Sequence, residues 1–403
     1  MNRVGTVKQK NILFLQGPIG FFFRELDLLF RSKGANTFKI ALNSGDWLFS
    51  NKDNVYPFKG KKEEWVSFIE TFLKEEKIDK IFLFGDCRFY QSHAILISMK
   101  LEIDVFVFEE GYVRPDFVTM ERYGVNNFSK ISRDPQFYET LEDHYLETPA
   151  ILSAQPKYSR MAFSAIFYYL ASHLFTSQYP HYIHHREPSA MKEFFWWWRN
   201  IFRKVKYKVT EKGLLDKLTG ELSKKYYFVP LQTHNDFQLR EHSAFDSLED
   251  FIGDVLHSFA RYAPKETSLV IKHHPADRGR KNYEAFISEL SDQLGIAERV
   301  MTIHDLHLPS CLQNAIGTVT INSTVGLSSL FHRTPTITLG DAIYDIDGLT
   351  SKGVSLDEFW VNYTLPDDQL FHKFRNYLIG TTQLNGSFYG RFPVEFSKSE
   401  MYS

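Results

Sequence analysis

A short segment near residue 270 combines an apolar run with residues that could do chemistry. Residues 269–271 read Leu-Val-Ile, and the polar residues that follow are Lys272, His273, His274, Pro275 and Arg278. This pattern predicts a buried strand that ends in a polar loop. Ligands bind at the carboxyl ends of strands in parallel α/β sheets, so the loop is a candidate binding site. Pro275 biases the residue before it toward an extended conformation, so His274 is expected to sit on stiff backbone.

The imidazole of His274 could stabilise the negative charge that grows on a leaving phosphate. Lys272 and Arg278 place cations within reach of the same charge. The alternative is a surface turn whose histidines have no functional role.

Two adjacent carboxylates follow another predicted strand. Residues 104–108 form an apolar run that is followed by Glu109, Glu110 and Gly111, and Arg114 comes three residues later. Adjacent carboxylates repel each other, so one of them could have a raised pKa and act as a base. In the alternative interpretation, one glutamate is solvated and the other pairs with Arg114.

Two further loops stand at predicted strand ends. Asn322, Ser323 and Thr324 follow the strand at 318–321 and precede a helix. Hydroxyl groups there could cap the helix and help to bind phosphate, or serve as a cap alone.

A glycine turn with Gln16, Gly17 and Gly20 separates the first strand from the first helix. It lacks the Gly-x-Gly-x-x-Gly spacing of dinucleotide sites, which disfavours a dinucleotide-dependent oxidoreductase. Close approach of a substrate and simple turn chemistry both fit it.

Metal signals are weak. The triplet at residues 345–347, Asp-Ile-Asp, lies in a predicted loop and is interpreted as structural. His181, His184 and His185 have loose spacing and no cysteine partner, so we predict no metal site.

Strand and helix patterns alternate over residues 10–145 and again over 226–339. This alternation predicts two α/β domains with parallel sheets and a cleft between them. The 403 residues suit two domains with an inserted helical region.

The inserted region contains an aromatic and basic helix. Its apolar face comprises Phe194, Trp197, Trp198, Ile201, Phe202, Val205 and Val209, and its other face Lys192, Arg199, Arg203 and Lys206. Tryptophans opposite a basic face are typical of a helix that lies in an anionic membrane surface. The alternative is a helix that bridges the domains and buries its aromatic face.

Composition limits the remaining possibilities. A net charge of -2 argues against a dedicated nucleic-acid binder. Cys87 and Cys311 match no disulfide or metal framework, which favours a reducing cytoplasm. No uncharged run approaches the ~20 apolar residues of a membrane span, so any membrane role is expected to be peripheral.

Six segments, taken together in this order, carry a family resemblance. They are LQGPIGFFF from Leu15, FEEGYVRPDFVTMERYGVNN from Phe108, FVPLQTHNDFQ from Phe228, KHHPADRG from Lys272, TINSTVGLSSL from Thr320 and ITLGDAIYDIDGLT from Ile337. The sequence resembles the capsule polysaccharide β-Kdo transferases of the KpsS type. More broadly, its Glu-Glu-Gly, His-Pro and Ser-Thr motifs are similar to those of bacterial CMP-sugar transferases with a GT-B fold.

This resemblance implies a domain organisation. Residues 1–150 would form a Rossmann-like acceptor domain, 151–225 a helical region that could face a membrane, and 226–350 a Rossmann-like CMP-sugar domain. Residues 351–403 would form a helical tail that packs back across the domains.

The resemblance also implies roles for the site residues. Glu110, with Glu109 as second choice, would be the catalytic carboxylate, and His274, Ser323 and Thr324 would hold the CMP phosphate. The further donor contacts would be Lys272, His273, Pro275, Arg278 and Asn322. Gln16, Gly17, Gly20, Gly111, Arg114 and Gln232 would line the cleft, with Arg114 facing the carboxylate of Kdo.

The implied reaction transfers β-Kdo from CMP-Kdo to a phosphatidylglycerol-type lipid, without metal or other cofactor, at the inner membrane of a Gram-negative bacterium. Other capsule biosynthesis proteins would be partners, and nucleic acid would not. The family is thought to retain the β configuration. A carboxylate nucleophile explains retention, whereas a base predicts inversion, and the residues leave both open. The rival functions are a CDP-polyol phosphotransferase and a non-catalytic component of capsule assembly or export.

Overall fold

The computed structural model describes residues 10–182, 190–234, 243, 245–393 and 395–398. Contacts divide the chain into two compact units. The first holds the described residues of Met1–Lys130, Pro149–Glu187 and Leu378–Ser403, and the second holds those of Ile131–Thr148 and Pro188–Tyr377. The last 26 residues of the chain are therefore assigned to the same unit as its beginning.

The described strands are β1 (Asn11–Phe14), β2 (Asn36–Ala41), β3 (Val55–Pro57), β4 (Lys80–Phe84), β5 (Asp104–Glu110), β6 (Phe117–Arg122), β7 (Tyr226–Pro230), β8 (Ser268–Lys272), β9 (Val300–Ile303), β10 (Gly317–Thr320), β11 (Thr336–Thr338) and β12 (Gln383–Asn385). The described α-helices are α1 (Phe22–Ser32), α2 (Ser44–Leu48), α3 (Trp65–Glu75), α4 (Phe89–Lys100), α5 (Pro135–Glu139), α6 (Tyr158–Leu174), α7 (Ala190–Thr210), α8 (Leu214–Thr219), α9 (Leu248–Tyr262), α10 (Glu284–Gln293), α11 (Leu308–Asn314), α12 (Val325–Phe331), α13 (Leu356–Phe359), α14 (Asp368–Thr381) and α15 (Glu395–Lys398).

The first unit contains a seven-stranded sheet in the order β12-β6-β5-β4-β1-β2-β3. The five strands from β5 to β3 are parallel, and β6 and β12 continue the sheet in antiparallel fashion. The parallel strands β1, β4 and β5 are apolar runs because both of their faces are covered. On one face Phe14 stacks on Phe82 with ring centroids 5.6 Å apart, and Phe22 of α1 meets Phe108 at 5.5 Å. These phenylalanine rings thus form part of the hydrophobic core on this face of the sheet.

The second unit contains a fully parallel five-stranded sheet in the order β11-β10-β7-β8-β9. The chain runs outward from β7 through β8 to β9, and then crosses to the other side of β7 for β10 and β11. This reversal makes a topological switch point at the carboxyl edge of β7, where ligands bind in open α/β sheets. The loops after β7, β8 and β10 therefore meet at one edge.

Helix starts follow local sequence signals. At α9, Ser247 accepts a hydrogen bond from the backbone amide of Asp250, which caps the first turn. The same helix buries Phe251, Val255 and Phe259 against the sheet.

The predicted α/β class, with two domains built on parallel sheets, is confirmed. Strands β6 and β12 were not predicted. Among the described residues, no helix has the length and apolar character needed to cross a bilayer.

Candidate functional site

Glu109 and Glu110 are the last two residues of β5. They pair with Thr119 and Val118 of β6, so the prediction that they lie in a loop was wrong. Hydrogen-bonded pairing with the antiparallel strand β6 extends β5 beyond the apolar residues 104–108 to Glu110. Neighbouring strand residues point to opposite faces, and accordingly Glu109 is half-buried whereas Glu110 is exposed.

Burial raises the pKa of Glu109 to about 7. This value includes two smaller effects: the backbone amide of Glu110, which donates to Oε1 of Glu109 at 2.9 Å, lowers the pKa, and the negative charge of Glu110 raises it. Repulsion between the two acids is therefore a smaller cause than the loss of water. Arg114 does not pair with either acid as the alternative interpretation expected, because its Nε donates to the carbonyl oxygen of Gly111 at 3.1 Å.

The turn after Glu110 is tightly packed. A Cβ atom on Gly111 would lie 2.2 Å from the carbonyl oxygen of Phe117, so only glycine fits here. The next residue, Tyr112, donates its amide to Oε1 of Gln383 at 3.0 Å and its hydroxyl to Glu121 at 2.7 Å. Strand β12, which supplies Gln383, thus fixes the turn that follows the two acids.

Gln16 is buried, at 4% exposure, beside a polar cluster that the sequence analysis missed. Its Nε2 lies 3.3 Å from Oδ2 of Asp46 and 3.1 Å from the hydroxyl of Tyr168, which donates to Asp46 at 3.0 Å. Burial raises the pKa of Asp46 and lowers that of Lys39, whose charges attract each other. No motif marks Asp46, because α6 brings Tyr168 to it from 122 residues away.

Gly17 and Gly20 shape the turn next to Gln16. A Cβ on Gly17 would lie 2.5 Å from the ring of Phe23, and Gly20 has a φ of 123°. Residues with a side chain rarely adopt that φ, so the backbone conformation of the turn requires glycine at position 20.

His274 lies at the carboxyl edge of β8 in an extended conformation, with φ -73° and ψ 131°, as predicted from Pro275. Its Nδ1 accepts a hydrogen bond from the backbone amide of Ala276 at 3.1 Å. A neutral imidazole that accepts at Nδ1 carries its proton on Nε2. In this tautomer Nε2 is the ring atom that can donate to an acceptor such as a phosphate oxygen.

Lys272 and His273 face inward instead. The ammonium of Lys272 donates to the carbonyl oxygen of His304, and Lys272 is 7% exposed. Burial, and then the neighbouring His304, lower the pKa of His273 to about 4, which leaves the ring uncharged at neutral pH. Both residues were predicted as donor contacts, and the structure buries both of their side chains.

Hydrogen bonds join the loop after β7 to the loops after β8 and β10. The Nδ1 of His234, after β7, lies 2.5 Å from Oδ1 of Asp277, and the His234 amide donates to Oδ2 at 2.7 Å. Gln232 donates from Nε2 to Oδ1 of Asn322 at 2.9 Å. The loops after β7, β8 and β10 are thus joined, as the sheet order requires. The motif from Phe228 was the sequence signal for this contact.

Ser323 lies just before the helix that follows β10, and its Oγ accepts from the amide of Val325, the first helical residue, at 3.2 Å. Thr324 is the N-cap residue, and its side chain makes no capping hydrogen bond. Tyr344 donates its hydroxyl to the carbonyl oxygen of Ser323. A Cβ on Gly326 would lie 2.1 Å from the Tyr344 hydroxyl oxygen, so glycine leaves room for this contact. Ser323 and Thr324 are both half-buried at the same sheet edge as His274.

Arg199 and Arg203 of α7, which were predicted to face a membrane, contact the His-Pro loop instead. Arg199 donates to the carbonyl oxygens of Gly279 and Arg280, and Arg203 donates to that of Arg278 at 2.8 Å. Their assignment to a lipid-facing surface was therefore wrong, because these guanidinium groups satisfy backbone carbonyls of the His-Pro loop. The side chain of Arg278 pairs with Asp305, which follows β9.

Two of the predicted membrane-facing aromatic residues of α7 are exposed, Trp198 at 59% and Phe202 at 65%. The side chain of Trp197 lies outside the described residues.

His184 and His185 also lie outside the described residues. Within the described part of the chain, no three His, Cys, Asp or Glu side chains lie close enough to hold a metal ion. Asp345 accepts from the hydroxyl of Thr350 at 2.6 Å, in line with the structural role expected for it.

The fold and these residues define a two-unit α/β protein with a half-buried acid at one strand end and a His-Pro loop at the switch point of a parallel sheet. The family model described as "Capsule polysaccharide biosynthesis protein" matches residues 79–389, and the chain belongs to this family.

Two relatives match along nearly the whole chain. The chain is 40% identical over 380 residues to the capsule polysaccharide export protein KpsS of Escherichia coli, which covers 94% of this chain and 97% of that protein. It is 37% identical over 392 residues to the capsule polysaccharide modification protein LipB of Neisseria meningitidis serogroup B, covering 95% and 92%. The predicted KpsS-type relationship is confirmed. A solved structure of Thermosulfurimonas dismutans KpsC, a beta Kdo 2,7 transferase, is similar at a TM-score of 0.41 and 11% identity, covering 91% of this chain and 89% of that one.

Proposed function

We propose that this protein is a CMP-Kdo-dependent glycosyltransferase that adds a β-Kdo residue to a phosphatidylglycerol-type lipid during synthesis of the capsule polysaccharide linker. Membership of the capsule biosynthesis family supports the pathway. The observation that carries the enzymatic part is the pKa of about 7 at Glu109. A carboxyl group that titrates near neutral pH, at the end of a parallel strand, is typical of a catalytic group.

Glu109 is our choice for the reacting carboxylate, although the sequence favoured Glu110. Glu110 is exposed to water, whereas Glu109 is half-buried. A carboxylate that is partly withdrawn from water interacts more strongly with charge that develops on a sugar.

The proposed donor contacts come from the loops after β8 and β10. The Nε2 proton of His274 donates to a phosphate oxygen of CMP, and this hydrogen bond strengthens as the bond between the anomeric carbon and that phosphate breaks. The hydroxyl groups of Ser323 and Thr324, which share the sheet edge, contact the same phosphate. The reaction in this proposal is metal-independent, since these groups meet the charge of the leaving nucleotide.

We propose that the reaction retains the β configuration. Retention requires two displacements, with Glu109 as nucleophile in the first. The carboxylate bonds to the anomeric carbon while the bond to the CMP oxygen breaks, and that oxygen keeps the electron pair. The lipid hydroxyl oxygen then bonds to the anomeric carbon while the bond to Glu109 breaks. Glu109 leaves as a carboxylate, and the hydroxyl proton passes to water.

The test is to incubate the full chain with freshly generated CMP-Kdo and phosphatidylglycerol vesicles and to analyse the lipid by mass spectrometry. We expect a product heavier by one or more Kdo residues, and no such product with the Glu109→Gln variant. A parallel reaction contains CDP-glycerol as the donor. Release of CMP from CDP-glycerol alone would favour the phosphotransferase and overturn this proposal.

The name of the Escherichia coli relative refers to export, so a non-catalytic role has its own test. In a host that lacks its own copy of the gene, the Glu109→Gln variant should fail to restore capsule. Full restoration by this variant would indicate a role in assembly or export instead.

A further inference from the structure

Helix α7 presents a continuous apolar stripe to solvent. Phe195, Trp198, Phe202, Val205 and Val209 follow one another at alternating steps of three and four residues, which places them on one face of the helix. Their exposures are 60%, 59%, 65%, 61% and 69%. Large apolar side chains in such a row on a free surface mark a site of interaction.

The charge around this stripe indicates its partner. Lys204, Lys206 and Lys208 are exposed, and among the described side chains of α7, from Phe195 to the end of the helix, none is acidic. On the helical wheel, Lys206 and Lys208 lie at the two borders of the stripe. An apolar stripe that contains tryptophan and is bordered by lysines fits the interface of an anionic lipid bilayer.

The opposite face of α7 holds the His-Pro loop. Three guanidinium contacts reach consecutive carbonyl oxygens: Arg203 to Arg278 at 2.8 Å, and Arg199 to Gly279 at 2.5 Å and to Arg280. The loop is packed directly on the helix, since a Cβ on Gly279 would lie 2.3 Å from the carbonyl oxygen of Trp196. Charge-assisted bonds of this kind fix backbone position.

Glu211, the residue after the end of α7, makes a second contact with this part of the second unit. The carboxylate of Glu211 accepts the backbone amides of His304 and Asp305 at 2.7 and 3.1 Å, and Asp305 pairs with Arg278. Any displacement of α7 is therefore transmitted to the segment that carries His274.

We propose that α7 couples a membrane surface to donor binding: its outer stripe lies in an anionic bilayer, and its inner face sets the position of residues 278–280, so that bilayer contact tightens the binding of a cytidine nucleotide at His274. This inference rests on the proposed function for the identity of the nucleotide. Arg199 and Arg203 are positioning residues in this scheme.

The lipid part is tested by flotation of the full chain with vesicles of phosphatidylcholine, with or without phosphatidylserine. Phosphatidylserine supplies surface charge without the headgroup of the proposed acceptor. We expect the wild type to float with the anionic vesicles, and the Trp198→Ser/Phe202→Ser variant to partition at least about tenfold less, because two large apolar side chains are lost from the interface.

The matched control is Leu365→Ser, which removes a residue that is 70% exposed outside α7 and should leave partitioning unchanged. A wild type that does not float would overturn the proposal and would assign the stripe to a protein partner. Equal partitioning of the double variant would overturn it as well.

The coupling is tested by measuring the affinity for CMP with and without the same anionic vesicles. We expect vesicles to tighten CMP binding by about fivefold in the wild type, a usual size for coupling between sites. Arg203→Gln should float normally but lose this gain, and Arg203→Lys, which keeps a charged donor, should recover part of it. A wild-type affinity that vesicles do not change would overturn the coupling.

The two measurements separate this inference from the proposed function. If the protein binds vesicles but binds no CMP at all, the assignment of the nucleotide fails together with the coupling, while the lipid contact of α7 stands.

Discussion

The carboxylate of Glu109 accepts the backbone amide of Glu110 at 2.9 Å, and yet the two side chains leave β5 on opposite faces. Two acids that are adjacent in sequence therefore occupy different environments. Burial acts on Glu109 and raises its pKa to about 7, whereas Glu110 is exposed to water. We therefore expect the two acids to contribute differently to catalysis.

Glu109→Gln should lower the rate of Kdo transfer by about 10³-fold or more, because the amide can act neither as a nucleophile nor as a base. Glu110→Gln should lower it by less than about tenfold. Product formation on the lipid, measured by mass spectrometry, checks both, and CMP binding serves as the control for folding. A greater loss in the Glu110 variant would restore the assignment favoured by the sequence.

The pH dependence follows from the same group. The pKa of Glu109 is raised to about 7, and the reactive form is the carboxylate, which is populated as the pH rises through that value. The ratio kcat/KM should therefore increase about tenfold per pH unit below 7 and level off above it. A rising limb centred near the ordinary pKa of a glutamate would contradict burial as the controlling factor.

His274→Ala should weaken CMP binding by about 10- to 100-fold, which corresponds to the loss of one hydrogen bond to a charged group. Calorimetry with CMP is the measurement. The control is His307→Ala, an exposed histidine outside the His-Pro loop, which should bind CMP like the wild type. Unchanged affinity in the His274 variant would remove this residue from the donor site.

Gly111→Ala should destabilise the first unit by roughly 1–3 kcal/mol or more, because its Cβ would meet the Phe117 carbonyl oxygen at 2.2 Å and a backbone atom there has little room to give. Gly253→Ala is the matched control. This residue lies within α9, a Cβ added to it would have no heavy atom within 4 Å, and the change should stabilise by about 0.5–1 kcal/mol. Chemical denaturation measures both.

The anomeric configuration of the product reports the role of Glu109. We expect nuclear magnetic resonance of the purified glycolipid to show the β configuration, which is retention and indicates a nucleophile. An α product would indicate inversion, with Glu109 acting as a base on the lipid hydroxyl.

Local sequence was sufficient for several features of the site. The apolar run before Lys272 predicted β8, and Pro275 predicted the extended backbone of His274, because both effects depend on residues adjacent in the chain. The hydroxyl residues after β10 predicted the start of α12, where Ser323 accepts the amide of Val325, for the same reason. The order of the six motifs along the chain was sufficient to identify the family.

Contacts between distant residues were decided only by the tertiary structure. Pairing with β6 placed Glu109 and Glu110 within a strand and on opposite faces, and the folded core then removed one of them from water. The sequence shows Arg199 and Arg203 as part of a basic face, but packing of α7 on the loop turned them toward backbone carbonyl oxygens 75 to 81 residues away. Residue types and spacing determine which groups are available, whereas burial and long-range hydrogen bonds determine the charge each group carries and what it binds.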